Sequence, residues 1–436
     1  MCRSTRDEVC GAIGPTRASA AVQGDRPTEC LRQKVAQASA CTGEIRLGPR
    51  PDESGRCRHE CLRHVPSSVS GKTEDKRRWA HVMGPFCMAG GGTGGHVIPA
   101  LAVARELRNR GYEVYFVGTQ RGAESRLVPA DGFPLELVQL GGLMNVGVMT
   151  KVSSLWGLMR STWIQFRRFS ARRPSAVFSM GGYVAGPPVL AAVLHGIPLV
   201  VMEPNAVPGF TNRHIARWVK RALVSFSETQ RYFPPGRAEL TGRPVRDEFF
   251  AIPPKPKAAT LTVLITGGSQ GSRTLNLAAR DSWARFKAAG TAVRLVHQTG
   301  ALMFEELKPE WDRAGLEGEM SAFISDMPAA FAQADLIICR SGGTVSEIAA
   351  AGKPSVMIPF PFAADQHQLR NAEAFERAGA SRMFLDKDWN GERMFQVVTE
   401  LMADRGQLAA MGEAARKLAR PGAAARAADV LVEVGG

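Results

Sequence analysis

No apolar run in the chain is long and uninterrupted enough for a membrane-spanning helix. The most apolar stretch, Val184–Met202, is broken by Gly186, Pro187, Pro188, His195, Gly196 and Pro198, so it reads as a loop, a short helix and a buried strand. The start of the chain carries Arg3, Arg6, Asp7, Glu8 and Arg17 and has no apolar centre, which argues against a secretory leader and leads us to expect a cytoplasmic protein. Cysteine is nearly absent from the body: Cys2, Cys10, Cys30, Cys41, Cys57 and Cys61 precede Met83, and only Cys87 and Cys339 follow. Cys57 and Cys61, with His59 and His64 beside them, would make half a zinc site, but no second ligand pair follows at zinc-finger spacing. Neither a metal nor a cofactor is therefore expected. Met1–Val82 lacks sustained periodicity and has few large apolar residues, so disorder is expected there, and a start at Met83 would explain the abrupt change that follows.

What is present points to a globular protein with an anionic partner. The 436 residues suffice for two ordinary domains plus extras, and 44% are apolar. The net charge of +14 suits nucleic acid, acidic lipid headgroups or phosphorylated substrates without choosing among them. From Phe86 onward apolar strands alternate with helices: Phe86–Ala89, a helix from about Pro99 to Arg110, Val114–Val117, then Ala176–Ser179, Pro198–Met202 and Ala222–Ser225. Continuous apolar strands between helices imply a parallel sheet covered on both faces. A proline-rich linker around residues 251–259 follows the first domain (83–250), and the pattern then restarts with Leu261–Thr266, a glycine turn and a helix near Thr274. A second domain over 260–420 is expected to hold strands Val293–His297, Leu336–Cys339 and Ser355–Ile358. Residues 421–436 read as a terminal helix able to cross back onto the first domain.

Two segments carry chemistry. Gly90-Gly91-Gly92-Thr93-Gly94-Gly95-His96 follows the first strand, where N–H groups bare of Cβ atoms and a helix N-terminus favour an anion. It is not a dinucleotide fingerprint, because Gly118, Thr119 and Gln120 follow the second strand in place of an acidic residue, nor a Walker loop, because the Lys-Ser/Thr pair is missing. Ser341-Gly342-Gly343-Thr344-Val345-Ser346-Glu347 follows Leu336–Cys339, and Thr344 and Glu347 have capping-box spacing. This segment is either a helix cap alone or a diphosphate seat with Glu347 on ribose hydroxyls. Asp386-Lys387-Asp388 has the form of a metal motif but reads as a solvated loop. Val148–Arg173 interleaves Trp156, Met159, Trp163 and Phe166 with Arg160, Arg167, Arg168, Arg172 and Arg173. Such a helix either lies on an anionic membrane or packs its apolar face on the sheet.

In order along the chain stand the Gly90–His96 loop, Met180–Pro187, Glu203-Pro204-Asn205, Gly242-Arg243-Pro244-Val245-Arg246, Gly267–Gly271, Phe323–Met327, Ser341–Glu347 and Asp365-Gln366-His367-Gln368. Together they resemble the MurG family of glycosyltransferases, over essentially Phe86 to the C-terminus. The resemblance implies the GT-B fold, two tandem Rossmann-like α/β domains with the active site between them. It implies inverting transfer of N-acetylglucosamine from UDP-GlcNAc to the C4 hydroxyl of undecaprenyl-diphosphate-linked N-acetylmuramyl-pentapeptide, at the cytoplasmic face of the bacterial plasma membrane. Other cell-wall synthesis proteins are possible partners, and nucleic acid is not expected.

The donor would be held by Arg246, Ser269, Ile324, Gly343, Thr344, Val345, Ser346, Glu347, His367 and Gln368, with Thr93, Gly94, Gly95 and Asn205 approaching the sugar from the other domain. An interdomain salt bridge is the alternative for Arg246. Gly91, Gly92, Gly181, Gly182 and Tyr183 would seat the acceptor diphosphate, and His96 is the candidate base, orientation of substrate being its other reading. The chain departs from the family pattern in a segment one residue shorter after Ser341, in Pro204 where Gln is usual, and in Met144-Asn145 where Arg is frequent. The rival readings are a diacylglycerol glycosyltransferase or a UDP-sugar epimerase of similar fold, and a non-catalytic membrane scaffold. The last is disfavoured because both glycine loops, Arg246 and Asp365–Gln368 are all present.

Overall fold

A computed structural model describes residues 83–138, 148–256 and 258–436, the side chains of 148–155 excepted. The expectations for residues 1–82, including the Cys57–Cys61 pair, and for Met144-Asn145 lie outside the described residues.

Two parallel sheets form the framework. The first contains β1 (Phe86–Ala89), β2 (Val114–Gly118), β3 (Leu135–Leu137), β4 (Ala176–Ser179), β5 (Leu199–Glu203), β6 (Arg221–Val224) and β7 (Ala238–Leu240), in the order β3-β2-β1-β4-β5-β6-β7. The second contains β8 (Leu261–Thr266), β9 (Val293–Gln298), β10 (Gly318–Ser321), β11 (Leu336–Cys339), β12 (Ser355–Met357) and β13 (Ser381–Met383), in the order β10-β9-β8-β11-β12-β13. Every residue of β1, β4, β8 and β11 is buried, which is why these strands are apolar without alternation. In each sheet the winding reverses beside the first strand, between β1 and β4 and between β8 and β11. At such a reversal the connections diverge and leave a crevice at the carboxyl ends of the strands.

The helices that matter here are α1 (Gly94–Asn109), α2 (Val148–Ala171), α3 (Gly186–His195), α4 (Arg273–Ala288), α5 (Thr344–Ala351), α6 (His367–Arg377), α7 (Arg405–Lys417) and α8 (Ala423–Gly435). α1 begins five residues earlier than the Pro99 start expected from sequence, so Gly94, Gly95 and His96 are its first turn and Pro99 lies inside it. Proline is tolerated there because only one bond is forfeited, that to the Gly95 carbonyl, and this carbonyl has another partner described below. α2 and α3 cover one face of the first sheet. α8 packs on the other: Ala427, Ala428, Val430 and Leu431 share a core with Phe86, Met88, Val103, Leu107 and Phe178. Bidentate pairing of Arg426 with Glu239 and a 2.6 Å contact between Arg110 and Asp429 tie its N-terminal half to the first domain.

Candidate active site

The four glycine-bearing segments read from the sequence are the turns at the carboxyl ends of β1, β4, β8 and β11. Topology thus brings Gly90–His96 beside Met180–Tyr183 in the first domain, and Gly267–Gly271 beside Ser341–Gly343 in the second.

The first of these turns rests on a carboxylate that the sequence did not reveal. Glu124 is fully buried and accepts hydrogen bonds from the Gly92 N–H (2.7 Å), the Thr119 N–H (2.8 Å) and the Thr119 hydroxyl (2.7 Å). Burial opposes its charge, but these donors outweigh burial and hold the carboxyl below its ordinary range. Gly91 is glycine for want of space, since a Cβ would come within 2.5 Å of the Glu124 carboxylate. Glu124 occupies the side of the expected acceptor seat at Gly91 and Gly92. The Gly92 N–H already faces an anion, and a diphosphate approaching Gly91 would be repelled by the same charge. Gly91 instead turns its carbonyl to the His96 ring, 3.3 Å from Nδ1. A carbonyl only accepts, so Nδ1 carries the proton and Nε2 keeps its lone pair. Burial lowers the His96 pKa; the Gly91 carbonyl raises it, Arg243 and His367 lower it, and Glu124 raises it. Gly182 lies against the same ring and Tyr183 is exposed beside Gly92. Thr93 precedes α1 without capping it through its side chain, and the Gly94 and Gly95 N–H groups have no partner among the described residues.

In the second domain α5 opens directly after β11. The capping box expected from Thr344 and Glu347 does not form: Gly343 is the N-cap, and no side chain bonds the first turn. Glu347 lies one position too far along the helix; burial raises its pKa, and the charges of Arg243 and Arg246 oppose that only in part. The N–H groups of Gly343 and Thr344 have no partner among the described residues, so the positive end of α5 is open. Val345 is buried, and Ser346 lies partly buried beside it.

Gln298, also unforeseen, wires the neighbouring loops together. Its Nε2 donates to the Gly268 carbonyl (2.9 Å) and its Oε1 accepts from the Ile324 N–H (2.8 Å), leaving Ser269 exposed between them. His367 opens α6 after Asp365 and Gln366, both in the left-handed region at φ 52° and 51°, a strain of the kind that gathers where geometry is imposed. The His367 Nδ1 meets the Ala364 carbonyl at 2.7 Å, and Gln368 accepts from the Phe360 N–H at 3.0 Å. Arg246 is exposed, its guanidinium 5.1 Å from the Phe249 ring centroid.

Arg243 and Asn371 stand where the halves meet: the Arg243 guanidinium lies over Gly343 of the second domain, and Asn371 bonds Asn205 and Ala206 of the first. Arg243 donates from Nη2 to the Gly95 carbonyl at 2.9 Å, the oxygen that Pro99 cannot use. Asn371 donates to Asn205 Oδ1 (3.1 Å) and to the Ser341 carbonyl (3.0 Å), and its Oδ1 accepts from the Ala206 N–H (2.9 Å). Asn205, expected near the sugar, is thus placed at the junction with its amide held between Asn371 and Glu203. Glu203 is buried, which raises its pKa, and is satisfied by Asn212, Asn205 and the Gly209 N–H. Asp386 does not belong to a solvated loop. It is ion-paired to Arg340 at 2.5 Å and accepts from the Thr274 hydroxyl, while Asp388 is exposed. Among the described residues no cluster of His, Cys, Asp and Glu is arranged to hold a metal ion.

Residues 86–224 match the glycosyltransferase family 28 N-terminal domain and residues 262–428 the family's C-terminal domain. The chain is 62% identical over 350 residues to the UDP-N-acetylglucosamine--N-acetylmuramyl-(pentapeptide) pyrophosphoryl-undecaprenol N-acetylglucosamine transferase of Solibacter usitatus, covering 80% of this chain and 96% of that protein. The enzyme of the same name from Halorhodospira halophila is 43% identical, over 80% and 97%. The crystal structure of Acinetobacter baumannii MurG superposes with a TM-score of 0.68 at 33% identity, over 80% of this chain and 99% of that one.

Proposed function

The chain belongs to glycosyltransferase family 28, and on that footing we infer that it is the GT-B N-acetylglucosaminyltransferase of peptidoglycan synthesis that converts lipid I to lipid II. Its donor is UDP-GlcNAc and its acceptor the undecaprenyl-diphosphate-linked muramyl pentapeptide, as in its relatives. The observation that carries the mechanism is the meeting of the His96 turn with the donor-side helix: the Gly95 carbonyl next to His96 accepts from Arg243 Nη2 at 2.9 Å, and the same guanidinium lies over Gly343 at the start of α5. In the transfer, the muramyl C4 oxygen bonds to the anomeric carbon as the bond to the UDP β-phosphate oxygen breaks. The electron pair stays on UDP, and the hydroxyl proton passes to His96 Nε2. Burial keeps His96 neutral and therefore able to accept it. UDP lies on the second domain, its diphosphate on the open N-terminus of α5 and its ribose at Glu347, while Ser269, Ile324, His367 and Gln368 border the nucleotide and sugar. The acceptor meets the first domain at the Gly94 and Gly95 N–H groups and at Gly181–Tyr183, not at Gly91–Gly92.

Attachment to the cytoplasmic membrane face is the second part of the proposal. α2 turns Ser161, Gln165 and Phe169 inward, while Trp156, Met159 and Trp163 are 68%, 59% and 59% exposed on the opposite side. Leu194 at the end of the adjoining α3 is 68% exposed. Arg160 and Arg167 on the same helix supply charge for anionic headgroups. Among the described residues no helix is long and apolar enough to cross a membrane.

The test is transfer of labelled N-acetylglucosamine to purified lipid I, with and without a chelator and with diacylglycerol as a second acceptor. Label on lipid I under both conditions supports the reading; label on diacylglycerol alone would overturn it.

A further inference from the structure

Arg243 has surroundings that a structural arginine would not choose. Its guanidinium lies over Gly343, so close that a Cβ there would be 2.2 Å from Nη1. That position is the positive end of α5, whose first N–H groups have no partner among the described residues. A cation on the positive end of a helix is repelled, and burial adds to the cost by lowering the Arg243 pKa. Glu347 acts on it only at a distance, with no ion pair between the two side chains. Among the described residues its one hydrogen bond is to an uncharged carbonyl, that of Gly95. Its Nε is enclosed and unpartnered. Arg243, Arg246 and the helix end thus face a single carboxylate, a net positive seat that an anion with two or more charges would balance.

We propose that Arg243 binds the diphosphate of the sugar nucleotide on the N-terminus of α5 and ties that seat to the turn carrying His96. The inference rests on the donor reading above and adds to it a residue that the sequence had passed over in favour of Arg246. A fork with Nη2 on the Gly95 carbonyl has Nη1 left to reach phosphate oxygens, and Gly343 leaves the room for it. As charge builds on the departing diphosphate, the same side chain holds the backbone one residue before the base, so leaving-group stabilisation and base placement share one support.

The experiment compares binding of UDP and of uridine to the full chain by calorimetry, in wild type, Arg243→Gln, Arg243→Lys and Arg246→Gln, together with kcat and KM for transfer. The expected result is a ten- to hundredfold loss of UDP affinity in Arg243→Gln with uridine affinity within about twofold of wild type. Arg243→Lys keeps a charge without the fork and should recover part of the loss; it also serves as the readout if the glutamine variant does not fold. kcat should fall along with affinity, since the contact strengthens as UDP leaves. Equal UDP affinity in wild type and both Arg243 variants, or equal losses for UDP and uridine, overturns the inference while leaving the donor reading intact. A wild-type protein that binds no UDP overturns both.

Discussion

Replacing His96 by alanine should lower kcat by about 10²- to 10⁴-fold, the range for loss of a positioned base, with UDP affinity nearly unchanged. Undiminished turnover in a single-turnover assay would eliminate it as the base. A base works in its neutral form, and the His96 pKa is lowered, so the acid limb of kcat/KM should lie below pH 6.5, the ordinary histidine value. Glu124→Gln tests the support beneath it. The amide turns an N–H toward either the Gly92 or the Thr119 donor, which should distort the turn and reduce kcat roughly tenfold. Because the Glu124 charge raises the His96 pKa, its removal should also move the acid limb further down; an unmoved limb would separate the two residues. His96 was legible in sequence because it adjoins the glycine turn that presents it. Glu124 was not, because 32 residues separate it from the Gly92 N–H of the glycine turn that it supports. Arg243 was hidden differently: it shares a motif with Arg246, and only folding decides which arginine turns inward.

α5 is held at one end and open at the other. Arg416 of α7 donates to the Ala350 (2.6 Å) and Ala351 (2.8 Å) carbonyls at its C-terminus, and to those of Phe250 and Ile252. A cation there matches the helix dipole and satisfies carbonyls that have no intrahelical partner. Arg416→Gln should cost roughly 2 kcal/mol, read as an earlier denaturant midpoint, with kcat nearly kept. For α2, Trp156→Glu together with Trp163→Glu should weaken binding to vesicles containing anionic lipid, leaving turnover of a detergent-dispersed acceptor unchanged; undiminished vesicle binding would remove the membrane assignment. Elements with continuous apolar runs were readable to within a residue or so, as in Ala176–Ser179, Leu261–Thr266 and Leu336–Cys339. The helix start near Thr274 was readable too, falling at Arg273, but the first turns of α1 and α5 were not. Pro99 looked like a first helical residue, and Thr344 like a cap, because local rules presume that backbone partners are local. At α1 the decisive partner, Arg243, lies 148 residues away.

The repeated sequence of strand, glycine turn and helix spells two doubly wound domains at the scale of the whole molecule, and both sheets have that winding. The pattern carries no trace of how the halves meet, since Asn371, Asn205 and Arg243 act only through contacts made after folding. α8 supplies part of the first domain's core although it follows the second domain in sequence. Leu431→Ala should therefore cost about 2–5 kcal/mol and speed amide exchange in β1 and β4 ahead of β8 and β11; loosening confined to the second domain would contradict this packing. The arrangement also constrains the order of events on the ribosome. β7 is complete at Leu240, yet the surface over Phe86, Met88 and Phe178 is covered only in part, by α1, until Ala423–Leu431 has been translated, after the whole second domain. The first half must wait with apolar surface exposed, in need of a chaperone or of fast synthesis, while the second can settle first.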